Sequence, residues 1–246
     1  MVDRSAGVVG VARALSKLGI CSRTAAAALV RAGRVAIDGR CVVDPEFPTC
    51  AGSRITLDGK PVGRAEPLYI AFNKPRGLIT SAHDERGRDT VYASLSDAAL
   101  PWLAPVGRLD KASEGLLLFT NDTRWAAQVT DPDRNVRKIY HVQIDRLSDP
   151  ALLRELEQGI EVGTAGRLSV DAARALRSGA KHAWLELTLS EGRNRQIRRL
   201  LEACDIRVLR LVRIAIGGVV LGDLAKGQWR RIEPASVFEA ARGRPP

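Results

Sequence analysis

Three separated stretches set chemistry-bearing side chains against apolar runs. In PVGRLDKASEGLLLFT, a Gly-Arg-Leu-Asp turn leads into Ser-Glu-Gly and then aliphatics, which reads as a loop delivering Asp110 to the edge of a sheet, with a strand over 116–120 behind it. A turn aspartate can simply bond its own backbone, so the open question is what a carboxylate does at the mouth of so apolar a segment. In RKIYHVQI, strand alternation puts Lys138, Tyr140, Val142 and Ile144 on one face. Tyr140 is then either a core ring whose hydroxyl has a partner or a plate on which a nucleobase lies. In SEGRNRQIRRLLEAC, Ile197, Leu200, Leu201 and Cys204 form an apolar helical stripe, leaving Arg195, Arg198, Arg199 and Glu202 on the other faces. A surface pair of Arg198 with Glu202 would contribute only about 0.3 to 0.5 kcal/mol and would not call for so many arginines. A polyanion contact, or a buried pairing with a carboxylate from elsewhere, accounts for them better.

The elements that must position these residues are of mixed type. LYIAFNKPRGLIT reads as a strand, a tight turn over Lys74 to Gly77 and a second strand, while AWLELTL alternates with Leu185, Leu187 and Leu189 on one face. Strands and helices follow one another without a regular βαβ rhythm, so the expectation is α+β with a largely antiparallel sheet. Upstream, VARALSKLGICSRTAAAALVRAGRVAIDGR reads as a short helix stopped at Gly19, a Ser22 N-cap, a second helix ending at Gly33, and a strand with an Asp-Gly turn over Val35 to Gly39. Gly, Pro and charge replace any period in GKPVGRAEP, Gly59 to Pro67, which reads as a linker. The expected domains are therefore 8–64 and 67–240, with the terminal ARGRPP frayed.

Composition narrows the partner. Two modest domains fit into 246 residues, and Lys plus Arg exceed Asp plus Glu by 38 to 28, a net +10 that points to a polyanion, nucleic acid first. No acid stands between Asp3 and Asp38, while Arg13, Lys17, Arg23, Arg31 and Arg34 fall in that window, a one-signed patch suited to phosphates. With aromatics at 4%, one placed ring is a more economical idea than broad stacking platforms. The absence of a long apolar run or a signal pattern predicts a cytoplasmic protein away from membranes. Four cysteines without CxxC spacing and only three histidines argue against a metal site, and the cysteines are expected to be reduced packing residues.

The N-terminal pattern of helix, GICSR, helix, RAGRVAIDG and then GSRITLDGKPV resembles the small S-four RNA-binding domain, although Gly10 stands where that domain often carries a basic residue. Taken in order, FNKPRG, GRDTV, PVGRLDKASEGLLLFTND, KIYHVQI, EGRNRQIRRL and LVRIAIGGVVLGDLAKGQWR resemble the motifs of the pseudouridine synthase family, in the branch that modifies ribosomal RNA behind an S-four domain. The sequence departs from that branch in TDP at 130–132, where THP is common, and at Asp122–Thr123, where Asp-Gly is usual. The resemblance implies an α+β catalytic domain with a mainly antiparallel mixed sheet flanked by helices. It places the family's nucleophilic aspartate on Asp110, its base-stacking tyrosine on Tyr140 and its aspartate-pairing basic residue on Arg198. Lys74, Arg108, Arg195 and Arg199 are expected to join the N-terminal cations on RNA. It further implies a monomer acting on ribosomal RNA or an assembly intermediate, with no cofactor; GRDTV leans toward the large subunit. Two other classes stand beside it, a non-catalytic RNA-binding factor and a nuclease, although a nuclease needs a carboxylate cluster or histidine pair that the second domain lacks.

Overall fold

The computed structural model describes residues 8–50, 52–82, 86–95 and 100–239, so the terminal ARGRPP lies outside the described residues. The chain divides into two compact units: the first runs to Leu68 and also takes in Asp97–Ala104 and Thr120–Thr123, and the second holds the rest.

In the N-terminal unit, helices α1 (Val11–Lys17) and α2 (Arg23–Arg31) form as the sequence dictates. Gly19 takes a φ of +79° to end the first, and the Ser22 hydroxyl accepts the Ala25 N–H at 3.0 Å to start the second. Val11, Leu15, Ala26 and Val30 pack on Val35, Ile37, Val42 and Ile55. Those last residues belong to an antiparallel sheet of order β2-β1-β3-β4: β1 (Val35–Ile37), β2 (Arg40–Val42), β3 (Ile55–Leu57) and β4 (Lys60–Pro61). Both hairpins turn on an Asp-Gly pair, Asp38–Gly39 and Asp58–Gly59, with all four residues at positive φ, the geometry whose twist matches the flanking strands. The expected linker therefore starts too early, because Lys60–Pro61 pairs with 56–57 as a strand.

Arg13, Lys17, Arg23 and Arg31 are exposed. Arg34 is not free for phosphate as expected: its guanidinium donates to both carboxylate oxygens of Asp58, at 2.9 and 2.6 Å, and ties the second turn to the end of α2.

The second unit is built on a nine-stranded sheet. Its main strands and helices are β5 (Tyr69–Lys74), β6 (Glu114–Thr120), α3 (Thr123–Thr130), β7 (Lys138–Ile144), α4 (Pro150–Gln158), β8 (Ala172–Ser178), β9 (Ala183–Leu189), α5 (Gln196–Glu202), β10 (Val208–Ile216) and β11 (Trp229–Arg231). The order is β8-β9-β7-β10-β6-β5-β11, with Ala104–Val106 against β6 and Val219–Val220 against β10. β8, β9, β7 and β10 pair antiparallel in sequence of position, whereas β6 meets β10 in parallel through Val212↔Glu114 and Arg213↔Gly115. β6 is buried along its whole length, which explains its unbroken GLLLF run. Gly115 has a φ of +102°, and a Cβ built there would lie 2.3 Å from the Arg213 carbonyl oxygen, so only glycine lets the two strands approach.

Two expectations fail here. No strand follows the Lys74–Gly77 turn; the segment makes a lone bridge, Ile79 to Thr90, because the Thr80 hydroxyl bonds the Leu109 main chain on both sides, at 2.8 and 3.3 Å. Of the cysteines, Cys21 and Cys204 pack against cores, but Cys41 and Cys50 are exposed. Among the described residues no helix is long and apolar enough to cross a membrane.

Candidate active site

A cleft of about 590 Å³ opens in the second unit. Its floor is the face of β7 and β10 that carries Tyr140 and Arg213, which are cross-strand partners and so stand side by side. Leu189, Leu211, Ile197 and Ile216 supply apolar lining, the loop 107–110 forms one wall, and 190–198 forms the other.

Asp110 lies on that loop with its side chain 32% exposed. Its backbone is fixed from three directions. The Asp110 carbonyl accepts from Ser113 N–H at 3.0 Å, Thr80 holds Leu109, and the Lys74 ammonium donates to the carbonyls of Asp110, Ser113 and Pro75 at 3.2, 2.8 and 3.1 Å. Lys74 is 0% exposed, so it cannot meet RNA as the sequence suggested. It clamps the loop instead. Burial lowers its pKa to about 8, against the opposing charges of Asp110 and Glu114.

The arginine cluster reaches the same carboxylate. Arg195, at a left-handed φ of +52°, brings Nη1 to 3.5 Å from Asp110 Oδ2, and Arg198 Nε stands 4.0 Å from that oxygen. Arg198 faces the loop rather than Glu202, its Nη2 donating to the Ala112 carbonyl at 3.1 Å and the Ser113 hydroxyl at 3.4 Å. Burial presses its guanidinium below its ordinary pKa, the Arg195 charge adds to this, and Asp110 acts against it. Arg108 is exposed on the cleft wall. Arg199 is absent from the lining. α5 is aimed by Gln196, which is buried and donates to the Ser169 carbonyl at 2.9 Å while its own oxygen accepts the Arg193 N–H at 3.1 Å.

Sequence reasoning did not single out Arg213, Gly115 or Glu114. Glu114 has only 4% side-chain exposure and binds Arg210 at 2.9 Å and Lys226 at 2.7 Å. Burial pushes its carboxyl up, but these two partners outweigh that and hold it below the ordinary value. A glutamate beginning a strand of otherwise uncharged, mainly apolar residues is the one signal that could have marked it. The whole arrangement is a partly shielded carboxylate with two guanidiniums within 4 Å, beside a ring and an apolar floor. It suits attack on, or proton removal from, a planar anionic or polar substrate.

The model of the RNA pseudouridylate synthase family matches residues 68–203, and that of the S4 domain matches residues 10–55. An RNA pseudouridine synthase of Aquifex aeolicus is 36% identical over 242 residues, covering 94% of each chain. Ribosomal large subunit pseudouridine synthase B of Bacillus subtilis is 33% identical over 227 residues, covering 92% of each. A crystal structure of a pseudouridylate synthase superposes over 94% of this chain and 99% of its own with a TM-score of 0.65, at 24% identity, a likeness of fold.

Proposed function

The chain belongs to the RNA pseudouridylate synthase family, and from that premise we propose that it isomerises one uridine of large-subunit ribosomal RNA to pseudouridine, with Asp110 as nucleophile. The observation that carries this reading is the placement of Asp110, held through its own carbonyl by Lys74 and through the preceding Leu109 by Thr80, at the mouth of a cleft floored by Tyr140. The similarity to a relative named for the ribosomal large subunit, with GRDTV at 87–91, supports the substrate. Exposed Arg13, Lys17, Arg23 and Arg31 support phosphate binding by the N-terminal unit. The protein acts as a monomer and without a cofactor.

In this isomerisation the bond from uracil N1 to the sugar C1′ breaks, a bond from C5 to C1′ forms, the C5 proton leaves to solvent and N1 is protonated. Nothing is oxidised and nothing hydrolysed, so water must be kept from the detached sugar; Leu189, Leu211 and Ile216 serve that end. The uridine has to leave its stack, at a cost of a few kcal/mol, and Tyr140 offers the face on which it lies. Arg195 and Arg198 set positive charge within 4.0 Å of the Asp110 carboxylate and orient it.

The test uses RNA carrying tritium at C5 of uridine, whose release requires rejoining through that carbon. Asp110→Asn keeps the size and loses the charge, so it should fold, bind RNA at least as well as wild type and release no tritium. Release by the Asn protein, with deamidation excluded by mass spectrometry, would remove Asp110 from the chemistry. Unchanged pseudouridine in large-subunit RNA from cells lacking the protein would remove the substrate.

A further inference from the structure

Among the described residues of the catalytic unit, buried charges have partners of opposite charge or carbonyl ligands with one exception; Arg198 Nε also lacks a hydrogen bond, but it stands 4.0 Å from the Asp110 carboxylate. Glu114 has Arg210 and Lys226, and Lys74 has three carbonyl oxygens. Arg213 is only 6% exposed, yet no carboxylate among the described residues pairs with it. Its Nε donates to the Leu116 carbonyl at 2.7 Å, and its Nη2 is buried without any acceptor. An uncompensated guanidinium out of water is expensive, and a donor left empty calls for an explanation. Arg213 also lines the cleft, next to Tyr140 across the strand pair. Its position is not adjustable, because its backbone is pressed against Gly115 at the parallel junction.

Resting on the function proposed above, we infer that Arg213 is a further catalytic residue, whose free Nη2–H is reserved for a carbonyl oxygen of the uracil and stabilises the negative charge that the ring carries while its bond to the sugar is broken. The ring becomes anionic whether Asp110 attacks the sugar or the ring or removes a ribose proton, so the same donor serves every route. In the first two the electron pair of the N1–C1′ bond, or of the C5–C6 double bond, moves onto the ring and its carbonyls; in the third it is again the departing ring that takes the N1–C1′ pair. A preorganised donor in a water-poor site is the means by which such charge is stabilised, and deleting one typically lowers turnover by about 10² to 10³-fold. A phosphate is the less suitable acceptor. Phosphates of a flipped nucleotide remain at the mouth, where Arg108, Arg193 and Arg195 are exposed, whereas Arg213 lies on the floor beside the stacking ring.

The experiment measures single-turnover pseudouridine formation and RNA affinity for wild type, Arg213→Met and Arg213→Lys, with thermal melts as the check on folding. The expected result is a fall in rate of about 10² to 10³-fold for Arg213→Met, with affinity within about three-fold of wild type, and a smaller defect for Arg213→Lys, which keeps the charge. A second substrate adds a readout that a merely structural role would not move. Fluorine at C5 of the target uridine withdraws charge from the ring, so the defect of the variants relative to wild type should shrink on fluorinated RNA, followed as rearranged nucleoside by mass spectrometry. If Arg213→Met melts early, the comparison rests on Arg213→Lys with the two substrates. Wild-type rates in both variants mean that Nη2 takes no part in turnover, and an equal defect on both substrates means that Arg213 acts through folding; either overturns the inference while leaving Asp110 untouched. Weak affinity with an unchanged rate assigns Arg213 to phosphate and overturns it too. If wild type itself forms no pseudouridine, it is the underlying function that fails.

Discussion

Gly115→Ala is the substitution that should damage the catalytic unit most for the fewest atoms. The glycine sits at a φ of +102°, where an L side chain costs about 1 to 3 kcal/mol of backbone strain. The added methyl would lie 2.3 Å from the Arg213 carbonyl oxygen and 2.8 Å from its nitrogen, both backbone atoms that no rotamer change can remove. Relieving the overlap means parting β6 from β10, and forcing an extra carbon into a packed site costs about another 1 to 3 kcal/mol. Taking about 4 kcal/mol for the sum, and about 2 to 4 °C per kcal/mol for a domain of this size, the melting midpoint should fall by about 8 to 16 °C. The assay is a calorimetric melt, with tritium release measured well below the new midpoint. Activity should fall beyond the loss of folded protein, since Asp110 precedes the junction by a few residues and Arg213 is part of it. A midpoint within about 2 °C of wild type would refute the claim that glycine is required by the approach of the two strands.

Three other outcomes are expected. Arg198→Ala should abolish turnover, because it removes a guanidinium beside Asp110 together with the hydrogen bonds to Ala112 and Ser113 that hold the reactive loop, whereas Arg199→Ala, outside the cleft, should stay within a few-fold of wild type; equal defects would refute the pairing with Asp110. Lys74 has its folded pKa lowered to about 8 from 10.5, so between those values the unfolded chain binds more protons and this group's contribution to stability rises with pH. Relative to Lys74→Met, wild type should therefore gain up to about 1.4 kcal/mol per pH unit in chemical denaturation across that window, and parallel curves would refute a buried ammonium. Arg13→Gln and Arg23→Gln should each flatten the salt dependence of RNA binding by roughly 0.7 to 0.9 in log K per log salt and leave the single-turnover rate at saturating RNA unchanged; an unaltered slope would take these residues off the RNA.

Local signals in the sequence proved dependable. The Gly19 stop, the Ser22 cap, both Asp-Gly turns and the alternation of AWLELTL each depend on residues a few positions apart, and each formed as read. Asp110, Tyr140 and Arg198 are implied by the resemblance to the family's motifs, and the fold gathers them at one cleft. What stayed hidden depends on distant partners. Lys74 in NKPRG reads as a surface turn until a loop some 36 to 39 positions downstream brings its carbonyls around it. Arg34 reads as a free cation until Asp58, 24 positions on, takes it. Arg213 stands in phase with Leu211 and Ala215, an arginine on an apolar face, and only the strand order shows that this face forms the floor of the cleft.

The parallel junction of β6 and β10 also governs when the site can exist. Leu116 and Arg213, joined there by a hydrogen bond, are 97 positions apart, and closing a loop of that length costs about 4 kcal/mol of chain entropy before any contact repays it. The reactive loop belongs to the early side of this closure, while Arg195, Arg198 and the floor of β10 belong to the late side. During synthesis Asp110 is thus translated long before the residues that orient it, and a partly folded chain holds the carboxylate without the cleft. Assembly of the site waits on this long-range pairing, so catalytic competence arrives with the junction of β6 and β10 and not ahead of it.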